Sequence, residues 1–290
     1  MVSLRTDLAV ESAEQLSINR GLEGVSSHVD TVPEAQLEIT DISIETPRAA
    51  ELMGRPCGRY ITLRALDGAF DSFSPCFERR ARIVSQQLEK LCENAKSALV
   101  VGLGNRAITP DAVGPLCADR IFATRHIKRY AKEMDSEDLG EVSVTQTGVM
   151  GTTGIESAEY IRALCTSLKP QIVVAVDALA CSELSHLGST IQLCNTGISP
   201  GSGVNNARKE LSRSTLGVTC VAVGVPTVMD LTSAAEGIFG SSAPDGAQSM
   251  MVTPRNVDKL AENAAGYISL AVNLCFHKGL SPEDLRTLTE

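Results

Sequence analysis

Two aspartates stand where acid–base chemistry has room to occur. Asp111 lies in "GLGNRAITPDAVGP" (102–115), a glycine-rich turn that follows the apolar residues of 97–101, and Asp177 ends the apolar run "IVVAV" and precedes "ALA". Thr109 reads as a helix N-cap and Pro110 as the first helical position, which puts Asp111 in a first turn, where the helix dipole favours a carboxylate. In a parallel sheet, ligands gather beyond the carboxyl ends of the strands, and both aspartates fall just past such ends. The two side chains can therefore face one another. Carboxylates at close range do not both ionise comfortably, so one tends to keep a proton while the other is charged. Such a pair offers a base and an acid together. Hydrolysis of a peptide bond needs both, to activate water and to protonate the leaving amine, each transfer contributing about 10²–10⁴ in rate. The titration belongs to the pair, and no separate roles follow from the sequence. Each residue also has a simpler reading: Asp111 as a partner of the helix dipole, Asp177 as the cap of the next helix.

Other chemistries fit less well. The turn at 102–107 lacks the third glycine of a dinucleotide fingerprint, since position 107 is alanine. "GISPG" (197–201) matches a nucleophile elbow with Ser199 at its centre, yet "PGSGVNNAR" follows where an elbow needs a helix to start. Asp111 and Asp177 with His126 or His186 could hold a divalent ion, but nothing in the spacing demands one. The four histidines form no His-Glu-x-x-His pair. The reading is of a site with no metal and no cofactor.

The elements that must position the aspartates come from the apolar pattern. "SALVVGLG" (97–104), "EVSVTQT" (141–147), "QIVVAVD" (171–177), "STIQLC" (189–194) and "TCVAVGV" (219–225) read as buried strands. Helices near 110–133 and 154–168 separate the first three, and that alternation predicts a largely parallel sheet covered on both faces. Upstream, "LEITDISIE" (37–45) has apolar Leu37 and Ile39, then Ile42 and Ile44, a slip of phase that predicts a bulged strand. "YITLRA" (60–65) is a second strand, and the rest of the first fifty or so residues are polar. Ser74-Pro75 opens a helix to about Asn94, Thr253-Pro254 opens another to about Lys278, and 240–249 is a loop by composition.

Composition bounds the class. The chain has 290 residues, 43% hydrophobic and 21% charged, enough for a full core in one large domain or two small ones. No run approaches the ~18 apolar residues of a membrane span, and the N-terminus lacks a basic segment followed by an apolar one, so the expectation is a cytoplasmic protein with no membrane contact. Nine scattered cysteines with no Cys-x-x-Cys spacing read as small buried hydrophobes in a reducing compartment. A net charge of −9 without a basic stripe argues against direct binding of nucleic acid.

In order along the chain, "RTDLAVE" (5–11), "VVGLGN…TPDAVGP", "GVMGTTGIES", "VVAVDALA", "TGISPGSGV", "LGVTCVAVGVPTV" and "MVTPRNVD" resemble the spore germination proteases, atypical aspartic endopeptidases of spore-forming bacteria. The resemblance spans nearly the whole chain apart from 12–60 and the loop near 240. It implies an α/β sandwich of three layers with a mostly parallel sheet, similar to the hydrogenase maturation proteases, and a homotetramer. It implies catalytic aspartates in "TPDA-GP" and "DALA", here Asp111 and Asp177. The implied substrates are the small acid-soluble proteins that coat DNA in the spore core, and the implied location is the forespore and spore core. The family's turn near 199 commonly carries histidine and glycine where this chain has Ser199 and Asn205, so specificity can differ there. The nickel-binding histidine of the maturation proteases has no clear counterpart.

The resemblance also implies a zymogen that cuts itself within "TDLA", here between Asp7 and Leu8. Residues 1–7 would then be a propeptide and 8–290 one protease domain, with an α/β core at 96–278 and N-terminal strands and a helix at 8–95. Family substrates carry an acid before the cut, an apolar residue after it and a further acid nearby. Basic groups are therefore expected near the cleft, with Arg106, Arg125 and Arg208 as candidates. Two other functions stay open: a metal-dependent peptidase of the same fold, and a non-catalytic protein that binds spore proteins.

Overall fold

A computed structural model describes residues 6–16, 22–131, 138–201, 208–240 and 250–289. The chain begins with helix α1 (Ala9–Gln15), strands β1 (Val25–Val32) and β2 (Leu37–Ile44), helix α2 (Pro47–Met53), strand β3 (Gly58–Ala65) and helix α3 (Phe77–Cys92). Next come β4 (Ser97–Leu103), α4 (Val113–Ala118), α5 (Arg125–Tyr130), β5 (Glu141–Gly148), α6 (Met150–Thr153), α7 (Ser157–Leu168) and β6 (Ile172–Cys181). The last third holds β7 (Thr190–Cys194), α8 (Arg213–Leu216), β8 (Thr219–Asp230), α9 (Leu231–Phe239), β9 (Met251–Val252), α10 (Val257–Phe276) and α11 (Pro282–Thr289).

The strands form one sheet in the order β1-β2-β3-β7-β8-β6-β4-β5, with β9 on β8. The neighbours β8, β6, β4 and β5 run parallel, linked by helical crossovers, as the alternation of strands and helices predicts. Strands β1, β2, β3 and β7 extend this sheet antiparallel, and β7 joins it to β8. The fold is α/β with a mixed sheet. The parallel half carries both aspartates.

Because side chains alternate along a strand, each strand feeds two layers. On one face Ile61, Leu63, Ile191, Leu193, Val174, Val176, Val221 and Val223 pack with α3, α4 and α10 into the largest cluster. Burying each of these large side chains stabilises the fold by about 1.5–3 kcal/mol. The opposite face carries two separate clusters. Tyr60, Leu179, Cys194 and Ala222 pack with α1 and α2, while Leu99, Val101, Val173 and Ala175 pack with α7 and α8. A cleft opens on this face where the two meet.

Layering explains β2. Its pairing with β1 and β3 runs without a shift, so there is no bulge. Leu37 and Ile39 face the first cluster and Ile42 and Ile44 the second, because each half of the strand is covered on a different side. The phase slip records a change of covered face. Strand β1 was invisible as a pattern because six of its eight residues are exposed at the sheet edge. The expected helix near 110–133 is broken into α4 and α5. Where it opens, Asn273 of α10 accepts from the Phe122 N–H at 3.0 Å and donates to the Arg120 carbonyl at 2.9 Å, replacing the helical partners. Seven cysteines are buried as expected, whereas Cys57 is exposed and Cys76 half-buried. The loop at 240–249 lies almost wholly outside the described residues. No described helix is long and apolar enough to cross a membrane.

Candidate active site

The segment after β4 is built by close backbone approach. Residues Thr109–Asp111 make a single 3-10 turn, with Ile108 rather than Thr109 at its N-cap and no side chain capping it. Asp111 is held instead by the Asn105 N–H, which donates to its Oδ2 at 2.9 Å and to its carbonyl at 3.0 Å. Gly104 sits at φ +104°, and a Cβ there would lie 2.2 Å from the Asp111 carbonyl oxygen. A Cβ on Gly114 would meet the Leu103 and Val176 carbonyls at 2.2 and 2.4 Å. The glycines thus seat the start of α4 on the end of β4 and the middle of β6, beside Asp177, which carries Asp111 to the cleft.

Asp177 lies on β6 in register with Gly224 of β8, and Gly224 is in register with Gln192 of β7. The three form one row on one face, with no side chain on the middle strand. Asp177 is only 4% exposed, and its Oδ1 accepts from the Ala178 N–H at 2.9 Å. Burial first, then the neighbouring Asp111 charge, push its carboxyl well above the ordinary aspartate range. Asp7 adds to the push, while Ala178 and Arg208 oppose it. Asp111 is half-buried and moves the same way for the same leading reason, burial, offset by the Asn105 hydrogen bond and by Arg208. The more deeply buried Asp177 is the stronger proton holder of the two.

Both aspartates line a cleft of about 440 Å³, and Asp7 lines it with them. The segment at 6–11 is docked there. The Asp7 N–H donates to the Ala180 carbonyl and the Ala180 N–H to Asp7 Oδ2, both at 2.8 Å, so Asp7 is held at the end of β6 just past Asp177. Gln192 Nε2 donates to the Asp7 carbonyl at 2.7 Å, and Arg55 Nη2 to the Thr6 carbonyl at 2.9 Å. Leu8 and Ala9 are fully buried. Glu11, 1% exposed, accepts from the Ser182 N–H (2.8 Å) and Oγ–H (2.6 Å) and from the Glu183 N–H (3.0 Å), and pairs with His186 Nδ1 at 2.8 Å. Burial alone would raise its carboxyl, but hydrogen bonds from His186, Ser182 and Thr6 outweigh it and hold the group below the ordinary range.

Of the three arginines singled out above, Arg208 lines the cleft. Arg106 pairs with Asp119 on an exposed surface, and Arg125 lies 3.4 Å from Glu141; neither lines the cleft. Ser199 also lines it, in a turn beside the Ile198–Leu211 bridge. His186 is committed to Glu11, and His126 sits on α5. Among the described residues no group of three or more His, Cys, Asp or Glu is placed to hold a metal. Arg5, Asn205 and residues 1–5 of the expected propeptide lie outside the described residues.

Sequence reasoning overlooked Gln192, Arg55 and the Ser182–His186 seat. Gln192 had a signal: it is a polar residue inside the otherwise buried strand "STIQLC".

A family model described as germination protease matches residues 5–240. A germination protease of Caldanaerobacter subterraneus subsp. tengcongensis is 35% identical over 99% of this chain and 98% of its own. One from Clostridium tetani is 34% identical over 99% of both, and one from Bacillus cereus 40% identical over 80% of this chain and 64% of its own. A [NiFe] hydrogenase maturation protease, HycI, from Thermococcus kodakarensis superposes with a TM-score of 0.35 at 18% identity, covering 64% of this chain and 98% of that one, a likeness too slight to carry an argument. With a family match over most of its length and relatives this similar from end to end, the chain belongs to the germination protease family of peptidases.

Proposed function

We propose that this chain is an aspartic-type endopeptidase, made as a zymogen that cuts its own Asp7–Leu8 bond, and that it degrades small acid-soluble spore proteins during germination. The observation that carries the reading is the shared cleft: Asp7 lines it together with Asp111 and Asp177. The family adds the remainder of the picture, a homotetramer in the forespore and spore core with residues 8–290 as the mature protease domain.

In this reading the ionised carboxylate of the pair takes a proton from water, whose oxygen bonds to the Asp7 carbonyl carbon as the carbonyl π electrons move to oxygen. The neutral carboxyl then delivers its proton to the Leu8 nitrogen as the C–N bond breaks. The products are a new carboxyl on Asp7 and a free amine on Leu8. A deeply buried Asp177 beside a half-buried Asp111 favours a pair with one proton at neutral pH.

The docked segment also suggests how substrates are read. The acid before the cut would take the place of Asp7 against Ala180, and a downstream acid the place of Glu11 against Ser182, Glu183 and His186. Recognition then falls to backbone N–H groups, a hydroxyl and an imidazole, with Arg208 as the basic group in the cleft. Until it withdraws, the same segment blocks substrate. Cutting severs Asp7, with its hydrogen bonds to Ala180 and Gln192, from the rest of the segment and leaves a second carboxylate on it in the cleft that Asp111 and Asp177 line, where like charges repel. Processing therefore drives the blocking segment out.

The test is incubation of the purified protein with a small acid-soluble spore protein, with the new termini mapped by mass spectrometry. Cuts after an acid and before an apolar residue are expected, insensitive to chelators and absent in Asp111→Asn and Asp177→Asn. Loss of activity on chelation would install the metal-dependent peptidase instead, and uncut substrate bound by the wild type would install the binding protein.

A further inference from the structure

We infer that Gln192 is a further catalytic residue, whose side-chain N–H holds the carbonyl oxygen of the bond being cut as negative charge develops on it. The inference rests on the reading of Asp7–Leu8 as that bond.

The geometry is specific. Gln192 Nε2 donates to the Asp7 carbonyl oxygen at 2.7 Å, and the Ala9 N–H donates to Gln192 Oε1 at 2.6 Å. One amide side chain therefore spans Leu8, bonding the carbonyl before it and the N–H after it, while the Leu8 N–H donates to Thr6 Oγ1 at 2.9 Å. The Ala9 N–H also fixes the orientation of that amide, because an N–H cannot approach Nε2 as an acceptor. The donor end must then face the carbonyl. Gln192 is 6% exposed on β7, in the same cross-strand row as Asp177. A donor fixed in a dry site, aimed where charge will form, does not have to reorganise during reaction, and its removal elsewhere costs about 10²–10³ in kcat.

The aspartate pair moves protons but does not by itself hold the carbonyl in place. As the water oxygen bonds to the Asp7 carbon, the displaced π electrons settle on the oxygen that Nε2–H already contacts. They return to the carbon when the C–N bond breaks. Gln192 gains and loses no proton. Its Oε1, anchored on the N–H of the second residue past the cut, sets the register in which the Asp7 carbonyl meets Nε2, in the cleft that Asp177 lines.

The experiment follows by intact mass the first-order loss of residues 1–7 from the full-length protein, with wild type, Gln192→Leu, Gln192→Glu and Asp177→Asn compared. Gln192→Leu is expected to lower the rate constant of that cut by about 10²–10³-fold. Gln192→Glu carries the decisive readout. Its introduced carboxyl donates only when protonated, so its rate constant relative to wild type should climb as pH falls, while the Gln192→Leu ratio stays flat. A side chain that merely packs would produce no such pH-dependent rescue, and a variant that failed to fold would not recover on acidification.

If the wild type cuts and Gln192→Leu keeps the rate constant within threefold, or if Gln192→Glu shows no acid recovery, this inference is overturned while the aspartate reading stands. If Asp177→Asn cuts as fast as wild type, or the wild type never cuts between Asp7 and Leu8, the underlying reading falls and the inference with it.

Discussion

Replacing Asp177 with asparagine keeps shape and removes a charge that the fold holds at a cost. The carboxyl is 4% exposed and faces Asp111 and Asp7, and its pKa is raised, so the folded chain binds a proton there that the unfolded chain has released. The sign follows from linkage. Below the unfolded value, about pH 4, both states are protonated and the group costs nothing. As pH rises from there, wild-type stability falls relative to Asp177→Asn by about 1.4 kcal/mol per pH unit, levelling once the folded carboxyl ionises. In a chain of this size each 1.4 kcal/mol appears as roughly 3–6 °C in Tm. The assay is thermal unfolding of both proteins from pH 4 to pH 8, on samples shown by intact mass to retain residues 1–7. The variant should match wild type near pH 4 and exceed it increasingly toward pH 8. A variant less stable than wild type at pH 8, or a gap that ignores pH, would refute the claim that Asp177 is a buried acid under strain.

Three further outcomes follow. Glu11→Ala strands two backbone N–H groups, a hydroxyl and His186 in a buried seat, and should cost about 3–5 kcal/mol in chemical denaturation. Because the Glu11 pKa is lowered, its contribution is present above pH ~4.5 and fades as pH falls, so the wild-type advantage should shrink in acid. Gly114→Ala drives a methyl group into the Leu103 and Val176 carbonyls and should abolish activity with a loss of at least about 2 kcal/mol in stability, read by activity and melting together. Hydrogen exchange over residues 8–16 should be slow in the uncut chain and rise at least tenfold once residues 1–7 are removed; unchanged protection would mean the segment stays seated.

Much of the site was legible because its scaffold is apolar and periodic. The apolar runs announced β4 and β6, but Asp177 does not follow β6 as expected: the strand continues to Cys181 against β8, and Asp177 sits inside it just past the last residue paired with β4. Less legible was anything decided by distant partners. Glu11 meets Ser182 across 171 positions and Ala9 meets Gln192 across 183, and no local pattern encodes such pairings. The glycines of 102–115 were read against a cofactor motif, whereas their use is contact between α4 and the strand ends. Strand β1 failed as a pattern because an exposed edge strand has no buried face to mark. The helix split at 119–124 was set by Asn273 from a helix 150 residues away, a tertiary partner overriding local propensity.

The most direct test of the central claim is an intact-mass time course of the purified zymogen beside Asp111→Asn and Asp177→Asn. The wild type should lose residues 1–7 and nothing else, while both variants keep their full mass. Removal of those residues at the wild-type rate in either variant would show that the pair does not cut the Asp7–Leu8 bond.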